Sequence, residues 1–270
     1  MFFYKMSLSC GKISIGRQVR KMIREDYPYL YETHMHTNQA SACARATGRE
    51  MAAAAKAAVY TGIIITDHSW YGNNALSKEL PWEEWIDTFC TGYEDAKAWG
   101  DENGLDVFFG YEANYHGTEF LIYGVDKEWL KTHPEIKDAT IPEQLRLIHE
   151  TGGMVIHAHP FREESYIPEV RLFPEDVDGV EGINATHSCH LSKSHNDPAF
   201  DERAIAYARE HKLPMTAGCD AHGTDLFGGG MAFKRRLTSV QDYCKAVLTG
   251  EDYLLYNGDD WFTKNGEKLK

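Results

Sequence analysis

From about residue 29 to residue 257 the chain alternates between two rhythms of apolar positions. Short runs dense in β-branched and aromatic residues are separated by longer stretches with an apolar residue every three or four positions. The first pattern suits strands and the second suits amphipathic helices. Strands are predicted at "YLYETHMHT" (29–37), "GIIITDH" (62–68), "LDVFFGYE" (105–112), "EFLIYGV" (119–125), "MVIHAHP" (154–160), "GVEGIN" (179–184), "LPMTAGCDAH" (213–222) and "YLLYN" (253–257). "GIIITDH" is a continuous apolar run, the mark of a strand buried on both faces in a parallel sheet.

Helices are predicted between them. The Ala-rich stretch 48–62 closes on Gly62. A single long helix spans 81–104, with Pro81 at its start and Gly100 or Gly104 at its end. Further helices cover 141–153, 199–212 and 239–250. No repeat, low-complexity run or linker interrupts the series, which predicts one α/β domain over residues 25–270, barrel-like and built from strand–helix units. Residues 1–24 read as a loosely ordered N-terminal extension. Its first 21 residues hold Lys5, Lys12, Arg17, Arg20 and Lys21 and no acid.

Composition narrows the partners. A formal charge of −13 argues against broad nucleic-acid or membrane-surface binding and suits a protein that gathers cations. No apolar run is long enough for a membrane span. Six scattered cysteines without a Cys-x-x-Cys pair suggest reduced thiols and a cytoplasmic location.

The chemistry collects at strand ends. His34 and His36 close the first strand, Asp67 and His68 the second, Glu112 the third, His157 and His159 the "MVIHAHP" strand, and Asp220 and His222 the "MTAGCDAH" strand. In α/β barrels those ends converge on one mouth, where active sites sit. Imidazoles with carboxylates and no thiolate cage suit Zn²⁺, Mn²⁺ or Fe²⁺. The donors outnumber what one ion takes, so two ions, at most three, are expected, and such clusters clamp oxyanions and activate water.

The series His-x-His-Thr (34–37), Thr-Asp-His (66–68), Gly-x-Glu (110–112), Ala-His-Pro (158–160) and Asp-x-His (220–222) resembles the signature of the PHP (polymerase and histidinol phosphatase) superfamily. That resemblance implies a distorted (β/α)7 barrel. It also implies one ion at His34, His36, Glu112 and Asp220, a second at His68 and His222, and a third reached from Glu112 with His159. Asp67 reads as a carboxylate that orients an imidazole, and His157 as pocket lining. Two positions depart from the family pattern. Cys43 stands where a second-ion Asp or His is usual, and Asp126 is the residue offered where the third ion expects a histidine.

Three residues complete the candidate catalytic set. His187, with Asn184, lies in a polar loop on the same barrel end, placed to reach substrate; Arg162 reads as a bidentate phosphate grip or as a barrel-rim salt bridge, and Asp67 beside His68 is the third. Lys234, Arg235 and Arg236 read as a solvated face. The activity implied is a metal-dependent phosphoesterase, hydrolysing a small phosphomonoester, a nucleotide or an oligonucleotide end by attack of metal-activated hydroxide. An amidohydrolase-type hydrolase and a non-catalytic metal-binding module are the alternatives. No obligate protein partner and no membrane are implied.

Overall fold

The computed structural model describes residues 23, 25–225 and 228–270. The N-terminal extension expected at 1–24 therefore lies outside the described residues, Ile23 excepted; that side chain is buried against Ala232 and Leu254.

Three parallel strands start the sheet: β1 (Tyr29–Met35), β2 (Gly62–Ile65) and β3 (Asp106–Tyr115). β3 then folds back through His116 and Gly117, both at positive φ, to pair antiparallel with β4 (Thr118–Tyr123). β5 (Met154–His157) is antiparallel to β4, and β6 (Gly179–Asn184) and β7 (Met215–Gly218) continue in parallel. On the other side of β1 lies an antiparallel meander of β8 (Gly229–Phe233), β9 (Tyr253–Asn257) and β10 (Trp261–Thr263). Among the described residues the ten-stranded order is β10-β9-β8-β1-β2-β3-β4-β5-β6-β7.

The sheet curls into an open half-barrel. Ala221, just past β7, bridges Met35 in parallel, the His36 amide donates to Ala221 O at 2.9 Å, and Thr33 Oγ1 donates to Ala217 O at 2.9 Å. Gly218 is needed at this junction, because a Cβ there would lie 2.5 Å from His34 Cβ. The expectation of uniform strand–helix units is corrected here. β4 and the C-terminal meander are antiparallel, and β8 is absent from the strands expected from the sequence.

Helices α1 (Gly48–Ala57), α2 (Trp82–Phe89), α3 (Thr91–Asn103), α4 (Lys127–Thr132), α5 (Ile141–Glu150), α6 (Ala185–Ser188), α7 (Ala199–His211) and α8 (Val240–Leu248) accompany the sheet. α1 starts at a capping box, Glu50 Oε2 accepting from the Thr47 amide at 2.8 Å and the Thr47 side chain from Glu50 N. The single helix expected over 81–104 is two, α2 ending at Cys90 as α3 begins. Gly92 sits at that break against Thr37, where a Cβ would come within 2.0 Å of its hydroxyl. The turn therefore brings α3 onto the strand ends.

Apolar faces divide into packed clusters. Tyr31, Tyr123, Met154, Val180, Met231, Phe233, Tyr243 and Leu255 fill the space under α8. Trp85, Phe89, Tyr111, Phe120, Ile122 and Ile148 pack under α2 and α5, and Met35, Met51, Ile63, Ile65 and Val107 under α1 and α3. Each such side chain contributes about 1.5–3 kcal/mol by leaving water, which holds the strand ends rigid around the polar cluster. No helix among the described residues is long and apolar enough to cross a membrane.

Candidate metal centre

The pleat of β1 puts Glu32 and His34 on one face, with His36 just past the strand's end, and all three are fully buried. Glu32 Oε1 accepts from the amides of His34 and Cys219 at 2.8 Å each, fastening β1 to the segment after β7. From that segment comes Asp220 at φ +52°, and from the end of β5 comes His159 at φ +27°. Non-glycine residues in this left-handed region cost about 1–3 kcal/mol each, strain that persists where surrounding structure aims a side chain.

These side chains meet. His34 Nε2 is 3.3 Å from Glu112 Oε1 and 3.5 Å from Asp220 Oδ1. His36 Nε2 is 3.1 Å from Asp220 Oδ1 and 3.7 Å from Glu112 Oε2. His68 Nδ1 lies 2.7 Å from Glu112 Oε2, and His159 Nε2 lies 3.1 Å from Glu112 Oε1. The rings of His68 and His222 each stack on His36 at 4.3 Å, and one nitrogen from each of the three lies within 4.8 Å of the others. All seven residues expected from the sequence to hold ions thus converge around Glu112 and Asp220.

Two further carboxylates complete the cluster. Glu119 on β4 reaches within 3.5 Å of His159 Nε2, where sequence reasoning offered Asp126. Asp126 instead caps α4, accepting from Trp129 N at 2.8 Å. Glu181 on β6 lies 2.8 Å from His34 Nδ1, and its second oxygen accepts from His159 N and Asn184 Nδ2. Each is the single charged residue in a wholly buried strand, and that was the available signal.

Other expected residues take different places. Asp67 is buried and accepts from Thr37 N at 2.6 Å, Thr37 Oγ1 at 2.7 Å and Ser41 Oγ at 2.6 Å. Ser41 in turn lies 3.3 Å from His36 Nδ1, so Asp67 positions an imidazole through a hydroxyl. Arg162, read as a candidate phosphate grip on the barrel rim, is 4% exposed; Nη2 donates to Asp220 Oδ2 at 2.7 Å and Nε to His187 Nε2 at 3.1 Å. Because a guanidinium only donates, His187 carries its proton on Nδ1, facing Asp201 Oδ1 at 2.7 Å. Asn184 is consumed by Glu181, Thr186 and Asp201. His187 and Asn184 are therefore fully engaged framework rather than residues free to reach substrate. His157 is buried against Phe120 and Phe173. Lys234, Arg235 and Arg236 pair on the surface with Asp252, Asp242 and Asp106, as expected of a solvated face.

Electrostatics and unsatisfied atoms test the fit to a cation. Burial raises Glu112, but the charges of His34 and His68 override it and hold the carboxyl well below its ordinary range. Asp220 is likewise held low, against burial, by Arg162 and His34. Burial and the neighbouring Glu112 charge push Glu119 up to about 7. His34 Nε2, His68 Nδ1 and Glu112 Oε2 are buried without a hydrogen bond, although His68 and Glu112 are 2.7 Å apart. Close but misaligned imidazole and carboxylate donors fit a shared divalent ion better than they fit one another.

Residues 199–251 match the model of the PHP-associated family. A two-domain protein from Bacteroides vulgatus, containing a predicted PHP-like metal-dependent phosphoesterase, superposes with a TM-score of 0.62 at 14% identity. The alignment covers 87% of this chain and 66% of that one. A candidate metal-dependent phosphoesterase from Bifidobacterium adolescentis superposes at 0.50 and 16% identity, over 81% of this chain and 95% of the other. No curated protein matches the sequence. The chain shares the fold of these PHP-like proteins.

Within this chain the mouth of the cluster is open beside His222, whose side chain is 25% exposed, and beside the partly exposed Cys43. Burial raises the Cys43 thiol, but hydrogen bonds with His222 and His68 outweigh it and bring the group down to about 6. The five described cysteines are all free thiols.

Proposed function

We propose that this protein is a member of the PHP superfamily and a metal-dependent phosphoesterase acting on a phosphate monoester or a short nucleic-acid end, with residues 25–270 as its single domain. The observation that carries the reading is the convergence of four imidazoles on Glu112, two of whose contacts are at 3.1 Å or less. One ion would be held by His34, His36, Glu112 and Asp220, and a second by His68 and His222. His159 and Glu119 mark a third position that shares Glu112. Zinc, manganese and iron suit this donor set.

Bound divalent ions would supply Lewis-acid polarisation of a phosphoryl oxygen and a water acidic enough to attack at neutral pH. The chain supplies the positioning. Asp220 divides its oxygens between His36 and Arg162, so the guanidinium is fixed beside the cluster. Asp201 and His187 hold Arg162 in that place. Buried walls keep bulk water from the reacting centre, which strengthens each electrostatic contact there.

Reconstitution with zinc, manganese or iron, followed by a panel of phosphomonoesters, phosphodiesters and short oligonucleotides, tests the reading. Phosphate release that depends on added metal is expected. Protein carrying two equivalents of metal and inert toward the whole panel would overturn it.

A further inference from the structure

Cys43 has a different setting from the other described cysteines. Cys90, Cys189, Cys219 and Cys244 are no more than 3% exposed, and Cys219 Sγ accepts from the amides of Gly228 and Gly229. Cys43 is partly exposed and lies in a loop fastened to both histidine-bearing segments at the mouth. Ala42 N donates to Asn73 O at 2.8 Å, and Arg45 N donates to His222 O at 2.8 Å. His68 N donates to Ser41 Oγ at 3.0 Å. The thiol interacts electrostatically with both His68 and His222. Beside it stand three imidazoles with nitrogens within 4.8 Å of one another, and His68, only 8% exposed, keeps Nδ1 without a hydrogen bond.

We propose that Cys43 Sγ is a ligand of the cation held at His68 and His222, making that position selective for thiophilic ions over magnesium and manganese. The inference rests on the metal-centre reading above. As the sulfur–metal bond forms, the thiol proton leaves to solvent and no electron is transferred. A sulfur donor polarises more readily than the carboxylate oxygen it replaces, which favours zinc, cobalt or iron at this position and disfavours hard cations. The first position, built only from imidazole and carboxylate, lacks that bias.

Cobalt(II) substitution of the full-length chain distinguishes the possibilities, because sulfur ligation adds a near-ultraviolet charge-transfer band to the visible ligand-field bands. Wild-type protein should show both. Cys43→Ser and Cys43→Asp should keep the ligand-field bands and lose the charge-transfer band. Cys43→Ser should also release its second equivalent of cobalt to a chelator on the order of tenfold more readily. Ligand-field bands without charge transfer in the wild type would overturn sulfur ligation and leave the metal centre standing. Charge transfer that survives in both variants would assign the sulfur to another cysteine. Cobalt that fails to bind the wild type would remove the metal centre and this proposal together.

Discussion

Asp67 and Glu112 are neighbouring buried carboxylates with opposite surroundings. They are 2% and 1% exposed, and the Glu112 amide donates to Asp67 O at 3.0 Å. Asp67 is saturated by one amide and two hydroxyls. Glu112 faces imidazoles almost exclusively, and its Oε2 makes no hydrogen bond. A buried carboxylate met by fixed donors has become framework, whereas one met by groups that themselves seek a cation is left open to one. Burial alone does not separate the two, but the identity of the partners does.

The largest expected effect sharpens that contrast. Glu112→Gln keeps the volume, removes the charge and leaves one ligating oxygen. Bound divalent metal should fall to one equivalent or less by elemental analysis. Turnover should drop on the order of a thousandfold, the loss of several kcal/mol of charge stabilisation, with the far-ultraviolet circular dichroism unchanged. Full metal stoichiometry with near-normal turnover would show that Glu112 bridges nothing.

Asp67→Asn should do the reverse. An amide nitrogen set against Thr37 or Ser41 costs about 2 kcal/mol in urea unfolding, while metal content stays whole and turnover falls about tenfold through a loosened His36. If Asp67→Asn stripped the metal and left stability untouched, the roles assigned to the two carboxylates would be exchanged.

His157 offers a smaller test, at a ring that packs on Phe120 and Phe173 with Nδ1 unsatisfied. Burial and the neighbouring His159 lower it to about 3. A base depressed in the fold contributes stability that is present above its unfolded value, near 6.5, and lost as pH falls toward the folded one. Between pH 7 and 5 this ring alone should cost the wild type about 2 kcal/mol. Urea midpoints for His157→Leu should therefore fall less over that interval. Parallel slopes for variant and wild type would mean the ring is protonated in the fold.

Much of this arrangement was legible along the chain because strand ends are punctuated. His34, His36, His68, Glu112, His159 and Asp220 each follow an apolar run closely enough to be placed at one mouth by topology alone. Glu119 and Glu181 carry a weaker signal because Glu119 opens its run rather than closing it and Glu181 lies inside one, and an acid in either place is easily read as a solvent-facing alternation. Gly229 and Gly230 hid β8, since glycine weakens every strand signal while permitting the close approach of β8 to β1. The antiparallel turn of β3 into β4 was obscured because a hairpin through His116 and Gly117 carries a weaker signature than Asn-Gly. Arg162 and His187 were found as residues but not as partners. Their pairing joins loops after different strands, and no local spacing records it.

The junction of β7 with β1 has a consequence for how the protein comes into being. His36 and Asp220 touch across 184 residues of chain, so a polypeptide still emerging from the ribosome has His34, His36, His68 and Glu112 long before it has Asp220. Closing a loop of that size carries an entropic cost that grows only with the logarithm of its length, but it makes the contact a late event in a slow, non-local topology. An ion that waits for Asp220 then acts as a clasp on the finished fold, and truncation anywhere before β7 removes the clasp while leaving most of its teeth.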